Sequence, residues 1–228
     1  MTRRQPSATR AVIFDLDGVL VDTMDFHFRS WKEIATKLGV DLPPTELEGF
    51  RGIRREHCLN RILGHCRPVD TKTYQRLLDE KNELYLAALA KSSEDFVLPG
   101  VRALMAALRA RKIPCGLASA SKNAAFILNH SRLMGAFDAI SDGHFSGPPK
   151  PSPSQITHVA GILGVEPQAT AVFEDAAAGI VAAKAAGALS IGIGSSVRFH
   201  AACDRWYVDL SSAASGAPLS DLLSDRRG

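Results

Sequence analysis

Residues 11–18 read Ala-Val-Ile-Phe-Asp-Leu-Asp-Gly: an apolar run, Ala11–Phe14, that passes directly into Asp15, Asp17 and Gly18. A short run with no polar interruption has the pattern of a strand buried on both faces, as in a parallel sheet. Two carboxylates at an i, i+2 spacing share one side of a continuing strand, and at a strand's end they can converge on one ion or phosphate. Solvated strand-end carboxylates are the plainer alternative. Gly18 counts against it, because glycine lets the backbone turn sharply and approach a ligand closely. Asp22 and Thr23 stand where the next helix needs a cap.

Downstream the texture is helical for about seventy residues. Trp31, Ile34, Ala35 and Leu38 recur at helical spacing, with Gly39 placed as a C-terminal stop. Leu59, Ile62, Leu63 and Cys66 predict a second helix, and Tyr74, Leu77, Leu78, Lys81 and Tyr85 a third, long one. After Pro99-Gly100 helices and apolar strands alternate. A helix through Val101, Leu104, Met105 and Leu108 precedes a strand at Ile113–Ala118. A helix from about Lys122 to Leu133 precedes a strand near Phe137–Ile140. A helix at Ile156–Leu163 precedes a strand at Thr170–Phe173, and an Ala-rich helix at Ala176–Ala186 precedes a strand at Ala188–Ile193. Such alternation predicts an α/β fold with an open parallel sheet covered on both faces. A helical insertion follows its first strand. Ligands of these sheets bind beyond the carboxyl ends of the strands, so an insertion leaving that edge is placed to serve as a lid.

Composition excludes several classes. The 228 residues are 46% hydrophobic and 22% charged, an ordinary globular balance, and the net charge of +3 owes much to Arg3, Arg4 and Arg10. That small excess argues for neither nucleic acid nor membrane as partner. No apolar run approaches the roughly 20 residues of a membrane span. Residues 1–10 read as a disordered tail with no signal-peptide pattern behind it. Cys58, Cys66, Cys115 and Cys203 form no CxxC pair, which disfavours zinc. On a helix Cys58 and Cys66 would lie about 12 Å apart, too far for a disulfide. Free thiols suit a reducing compartment, and a cytoplasmic location is the expectation.

Further candidates fall at strand ends. Ser119-Ala120-Ser121-Lys122-Asn123 closes one strand and opens a helix, as a phosphate cradle of hydroxyl and helix amides or as a plain serine cap. Lys150 sits between Pro149 and Pro151 in a loop on the same rim, where most lysines are merely solvated. Glu174 and Asp175 follow Thr170–Phe173 as a second acidic pair, again either solvated or ligating. Magnesium takes carboxylate oxygens, water and substrate phosphate. Two acidic strand ends with a serine and a lysine on one rim have the make-up of a metal-assisted phosphate site.

FDLDGVLVDT, LASASKN, the KP of PPKPSP and FEDAAAGIVAAKAAG resemble, in order, the four motifs of the haloacid dehalogenase superfamily, over nearly the whole chain. The resemblance implies a Rossmann-like core domain of residues 11–23 and 95–228 with a helical cap domain of residues 24–94. It also implies chemistry: Asp15 attacks phosphorus and becomes an aspartyl-phosphate, and Asp17 acts as acid and then base. Ser119, Ala120, Gly18 and Lys150 would hold the phosphate. Glu174, Asp175, Asp15 and the Asp17 backbone carbonyl would hold Mg2+.

Within the helical block, Phe26-His27-Phe28-Arg29-Ser30-Trp31, Gly52-Ile53-Arg54-Arg55 and Lys81-Asn82 resemble elements of the β-phosphoglucomutase family, as does SASKN. That resemblance implies interconversion of β-glucose 1-phosphate and glucose 6-phosphate, primed by β-glucose 1,6-bisphosphate. Arg55 would grip the distal phosphate. Lys81, Asn82, Ser121 and Asn123 would touch the sugar phosphate, and His27 would couple substrate to acid/base positioning. On the residues alone, Lys81 could snorkel to water, His27 could be structural, and Arg54 and Arg55 could be surface charges. Arg54, Cys58 and Ser154 depart from the family pattern, which has serine, serine and aspartate there, and Gly147-Pro148-Pro149 makes an unusual approach to Lys150. A magnesium-dependent sugar-phosphate phosphatase of the same fold is the alternative. A non-catalytic sugar-phosphate binder is disfavoured by the full acidic set. A dinucleotide-dependent oxidoreductase is disfavoured because no GxGxxG follows the first strand and Gly192-Ile193-Gly194 comes late. A monomer acting on a small sugar phosphate is expected.

Overall fold

The computed structural model describes residues 9–50, 53–66, 68–92, 95–194 and 202–214. Of the expected tail, residues 1–8 lie outside these. Thr9 is buried and the Arg10 N–H donates to Ala169 O at 2.7 Å, so the chain has joined the fold by Thr9 rather than after Arg10. Gly52 of the glycine–arginine element also lies outside the described residues.

The chain divides into two compact units, residues 1–22 with 96–228, and residues 23–95. The first begins with β1 (Ala11–Phe14). The second holds α1 (Met24–Lys37), α2 (Pro44–Glu48), α3 (Arg55–Leu63) and α4 (Thr71–Lys91). The first then resumes with α5 (Val101–Ala110), β2 (Cys115–Ala118), α6 (Ala124–His130), β3 (Ala139–Ser141), α7 (Ser154–Ile162), β4 (Thr170–Glu174), α8 (Ala177–Ala185), β5 (Leu189–Ile193), β6 (Arg205–Tyr207) and α9 (Leu210–Ala214).

The six strands form one parallel sheet in the order β3-β2-β1-β4-β5-β6. β1 is central and buried at every residue, as its uninterrupted apolar run requires. On one face Ile13, Ala118 and Val172 meet Ile156, Val159 and Ala160 of α7 and Ala182 and Ala183 of α8. By the two-residue period Val12 and Phe14 face the opposite side, where Phe14 stacks on Phe173 at 5.0 Å between ring centroids. Each fully buried side chain of this size contributes roughly 1.5–3 kcal/mol. Small alanines on α8 let that helix lie close to the sheet.

Strand β2 starts two residues later than the apolar run Ile113–Ala118 suggests, since Pro114 has no N–H to give the ladder. Helix α6 starts at Ala124, not Lys122, because Ser121–Asn123 are turned by local side-chain bonds described below. Thr23 takes the N-cap position of α1 without a side-chain capping bond, whereas Asp70, unremarked in the sequence, caps α4 by accepting from Thr73 N–H at 2.7 Å.

The second unit has its own core: Trp31, Ile34 and Ala35 of α1 pack with Leu77 and Leu78 of α4, with Leu47, Phe50, Cys58, Leu59 and Ile62 between the remaining helices. Cys58 is a buried core residue, and burial pushes its thiol up to about 12. All four cysteines are free. Among the described residues no helix is long and apolar enough to cross a membrane.

Candidate active site

The carboxyl ends of β1, β2 and β4 bring the core candidates together. Asp15 follows β1 directly, and its N–H still donates to Phe173 O at 3.0 Å, which keeps it in register with β4. The chain then turns tightly: Leu20 and Val21 N–H both donate to Leu16 O, and Gly18 N–H donates to Val21 O at 2.8 Å. Gly18 has φ +81°. A Cβ there would stand 1.9 Å from Asp175 Oδ2, so the turn needs glycine both for its backbone and for the room it leaves that carboxylate.

Carboxylate oxygens of Asp15, Glu174 and Asp175 lie within 4.8 Å of one another. At that separation two like charges repel by about 3.5 kcal/mol for an effective dielectric near 20. One cation in the cluster is Lys150. Its Nζ donates to Asp15 Oδ1 at 2.7 Å, to Ala118 O at 2.9 Å and to Glu174 Oε1, which engages all three ammonium hydrogens. Burial works against the Lys150 charge, but the carboxylates of Asp15 and Glu174 outweigh it and hold the amine above its usual range. Glu174 is 1% exposed. Burial lifts its carboxyl above the usual range, with Lys150 pulling it down and Asp15 pushing it up. The three carboxylates offer hard oxygen donors on one rim, a set that fits a divalent cation such as magnesium. Asp17 is half-buried and lies beside Asp15, outside the three-carboxylate cluster.

Ser119 does not act as a plain helix cap. Its hydroxyl accepts from Ser121 N–H at 3.1 Å, and Ser121 Oγ accepts from Asn123 N–H at 3.3 Å. These two bonds turn Ser119–Asn123 before α6 begins. Ser119 is buried and Ala120 is exposed at the turn.

His27, Arg55, Lys81 and Asn82 belong to the second unit. Lys81 does not snorkel: it is 3% exposed. Its Nζ lies 2.7 Å from His27 Nδ1, 4.7 Å from the Tyr85 ring centroid and 5.2 Å from that of Trp31. With the ammonium donating, Nδ1 is the acceptor and the imidazole carries its proton on Nε2. The His27 ring stacks on Tyr85 at 4.1 Å. Burial, and behind it the Lys81 charge, hold His27 well below its ordinary value, so it stays neutral. Arg55 opens α3, and its Nε lies 3.5 Å from Glu56 Oε1. Asn82 is half-buried beside Lys81 on α4, and Arg54 is exposed.

A residue beside Glu174 escaped the sequence reading. Gly179, in the first turn of α8, lies so close to Glu174 that a Cβ would stand 1.9 Å from its Cδ and Oε1. Its signal was a glycine inside an otherwise Ala-rich helix.

Residues 9–187 match the family model of haloacid dehalogenase-like hydrolases. The chain is 38% identical over 188 residues to a β-phosphoglucomutase of Bacillus subtilis (strain 168), covering 81% of this chain and 83% of the relative. It is 31% identical over 176 residues to fructose-1-phosphate phosphatase YqaB of Escherichia coli (strain K12), covering 77% and 92%. Among solved structures it is similar to a β-phosphoglucomutase from Clostridium difficile, with a TM-score of 0.82 and 32% identity over 90% of this chain and 92% of that one.

Proposed function

The chain belongs to the haloacid dehalogenase-like hydrolase family, and within it we propose that the protein is a phosphomutase working through an aspartyl-phosphate on Asp15. Its reaction is the interconversion of β-glucose 1-phosphate and glucose 6-phosphate by way of β-glucose 1,6-bisphosphate. The observation that carries the phosphoryl-transfer reading is the Lys150 amine bridging Asp15 and Glu174 at the strand ends. The similarity to the Bacillus subtilis protein, with Lys81 held on His27, favours the mutase over other members.

An Asp15 carboxylate oxygen attacks phosphorus as the phosphorus–oxygen bond to the sugar breaks, and Asp17 gives its proton to the departing oxygen. In the second half Asp17 takes the proton of the incoming sugar hydroxyl, which attacks the aspartyl-phosphate and frees Asp15. A carboxylate approaching a phosphate meets like charge, and Lys150 offsets it by exchanging one of its three acceptors for a phosphate oxygen. Ser119 and Ala120 of the turn are assigned to the phosphate. Asp15, Glu174, Asp175 and the Asp17 carbonyl would hold magnesium, which when bound neutralises phosphate charge and orients the transferring group. Arg55 is assigned to the phosphate that is not transferred, since a guanidinium fork orients a phosphate better than an ammonium. His27, Lys81, Asn82, Ser121 and Asn123 are assigned to the sugar phosphate.

A phosphatase reading draws support from the similarity to the sugar-phosphate phosphatase of Escherichia coli. Both readings share Asp15 and differ in the oxygen that attacks the aspartyl-phosphate. Phosphorus NMR of the protein with β-glucose 1-phosphate, magnesium and a trace of β-glucose 1,6-bisphosphate separates them. Glucose 6-phosphate is the expected product. Inorganic phosphate alone would replace the mutase with the phosphatase.

A further inference from the structure

Gln155 stands at the start of α7, five residues beyond Lys150, and is 5% exposed. Its Nε2 lies 2.9 Å from Ser119 O, 3.1 Å from Ser141 O, 3.3 Å from Ser141 Oγ and 3.1 Å from Asp142 O. An amide nitrogen has two hydrogens, so they are shared among these acceptors. Three of them are main-chain carbonyls at the carboxyl ends of β2 and β3, where the ladder runs out after Ser119 N–H donates to Ser141 O at 3.0 Å. One residue upstream, Ala118 O accepts from Lys150 Nζ at 2.9 Å. Two consecutive carbonyls are therefore held by two side chains of one short segment, Lys150 and Gln155.

The turn is gripped from a second side as well. Gly143 N–H donates to Ser121 O at 3.0 Å, and a Cβ on Gly143 would stand 2.4 Å from Ala120 O and 2.6 Å from Lys122 N. The backbone after β3 thus lies against the Ser119–Lys122 backbone with no room for a side chain, and Gln155 ties both to α7.

We propose that Gln155 is a positioning residue for phosphoryl transfer. It locks the Ser119–Ser121 turn to the Lys150 segment, so that the turn's donors and the Lys150 amine address one phosphate as a rigid unit. The proposal rests on the phosphoryl-transfer reading above and deepens it. Only a donor of this length serves: methionine fills the space but takes the donor from Ser119 O and leaves Ser141 O and Asp142 O only the N–H groups of Ser119 and Phe145, and asparagine keeps the amide but falls one methylene short.

The test compares Gln155→Met and Gln155→Asn with Ser190→Ala. The control loses a hydrogen bond of 2.6 Å to Asp204 at the β5 side of the same sheet, away from the turn. Amide hydrogen exchange, followed by NMR without substrate, is expected to speed up at least about 10-fold at Ser119 and Gly143 in both Gln155 variants. The Val12 amide of β1, which donates to Pro114 O, should stay at its parent rate. Turnover per folded molecule should fall about 10- to 100-fold, as for a small misplacement of binding groups, and Ser190→Ala should stay within about 2-fold of the parent. If Met does not fold, the asparagine variant carries both measurements. Exchange at Ser119 and Gly143 that changes only in step with Val12 overturns the brace, and turnover preserved in the Gln155 variants overturns its catalytic role. A parent protein without phosphoryl transfer refutes the reading beneath the proposal, while the exchange measurement still decides whether Gln155 holds the turn.

Discussion

Replacing Gly179 by alanine tests the geometry of the acidic cluster with one methyl group. In a helix interior this change ordinarily stabilises by about 1 kcal/mol. Here the new Cβ would stand 1.9 Å from Glu174 Cδ and Oε1 and 2.4 Å from Oε2, where ordinary contact begins near 3.4 Å. The carboxylate must therefore move by about 1.5 Å. Glu174 is 1% exposed and paired with Lys150, so it has no solvent to swing into without breaking that pair. Overpacking of this kind costs about 1–3 kcal/mol. Set against the helix gain, the net loss is about 0–2 kcal/mol, or a fall in Tm of at most several degrees. Activity should suffer far more, because a displacement near 1 Å of an active-site group costs about 100-fold. The assay is turnover by phosphorus NMR beside a thermal melt of the same preparation. Turnover should drop at least about 100-fold while the melt moves little. A variant that keeps turnover within about 3-fold of the parent refutes the claim that Glu174 must sit where it does.

Asp15→Asn should abolish transfer to every acceptor, since an amide is a poor nucleophile and cannot carry the acyl phosphate; measurable turnover by a sequence-verified preparation removes Asp15 from that role. Activity should vanish with chelator, and Asp175→Ala should raise the magnesium concentration for half-maximal turnover, whereas full activity in excess chelator with no metal by elemental analysis contradicts the metal site. Arg55→Ala should lower mutase turnover far more than the slow hydrolysis of acetyl phosphate, which has no second phosphate, and an equal fall in both activities means Arg55 is not a phosphate grip. His27, held well below its ordinary value of 6.5, should show no NMR titration from pH 8 down to 6. The sign follows: below about pH 6.5 the unfolded chain binds a proton that the folded chain refuses, so the stability His27 contributes is complete above that pH and is lost below it, by at most about 1.36 kcal/mol per pH unit. A His27 titration near 6.5 would count against its neutral pairing with Lys81.

The core sheet was legible because its chemistry and its pattern coincide. Ala11–Phe14 and Thr170–Phe173 are apolar runs that end in carboxylates, and both the strand and the site follow from that junction. Elements without such a run were not legible. β6, Arg205–Tyr207, is three half-buried residues at a sheet edge with no apolar stretch to mark it. α2, Pro44–Glu48, is five residues with only Leu47 buried. Gly179 and Gln155 escaped for another reason. Gln155 matters through Ser119, 36 residues away, and Gly179 through a close approach to Glu174 that its place in an Ala-rich helix marks only as an unusual glycine.

The two lysines show where sequence reasoning stops. Lys150 had two prolines beside it and Lys81 had an apolar stripe, and in both cases a solvated amine was the plain alternative. Folding resolves them by opposite means. Lys150 is placed among carboxylates, where charge attraction exceeds the cost of burial. Lys81 is placed on a neutral imidazole and over two aromatic rings, contacts worth about 0.5–2 kcal/mol per ring when desolvated. Burying an ammonium costs several kcal/mol, so the rings alone do not offset it. The His27 nitrogen at 2.7 Å adds to what the rings supply. The first unit gathers carboxylates around one ammonium, Lys150. The second gathers donors. Each arrangement follows from what surrounds the amine, which spacing along the sequence does not report.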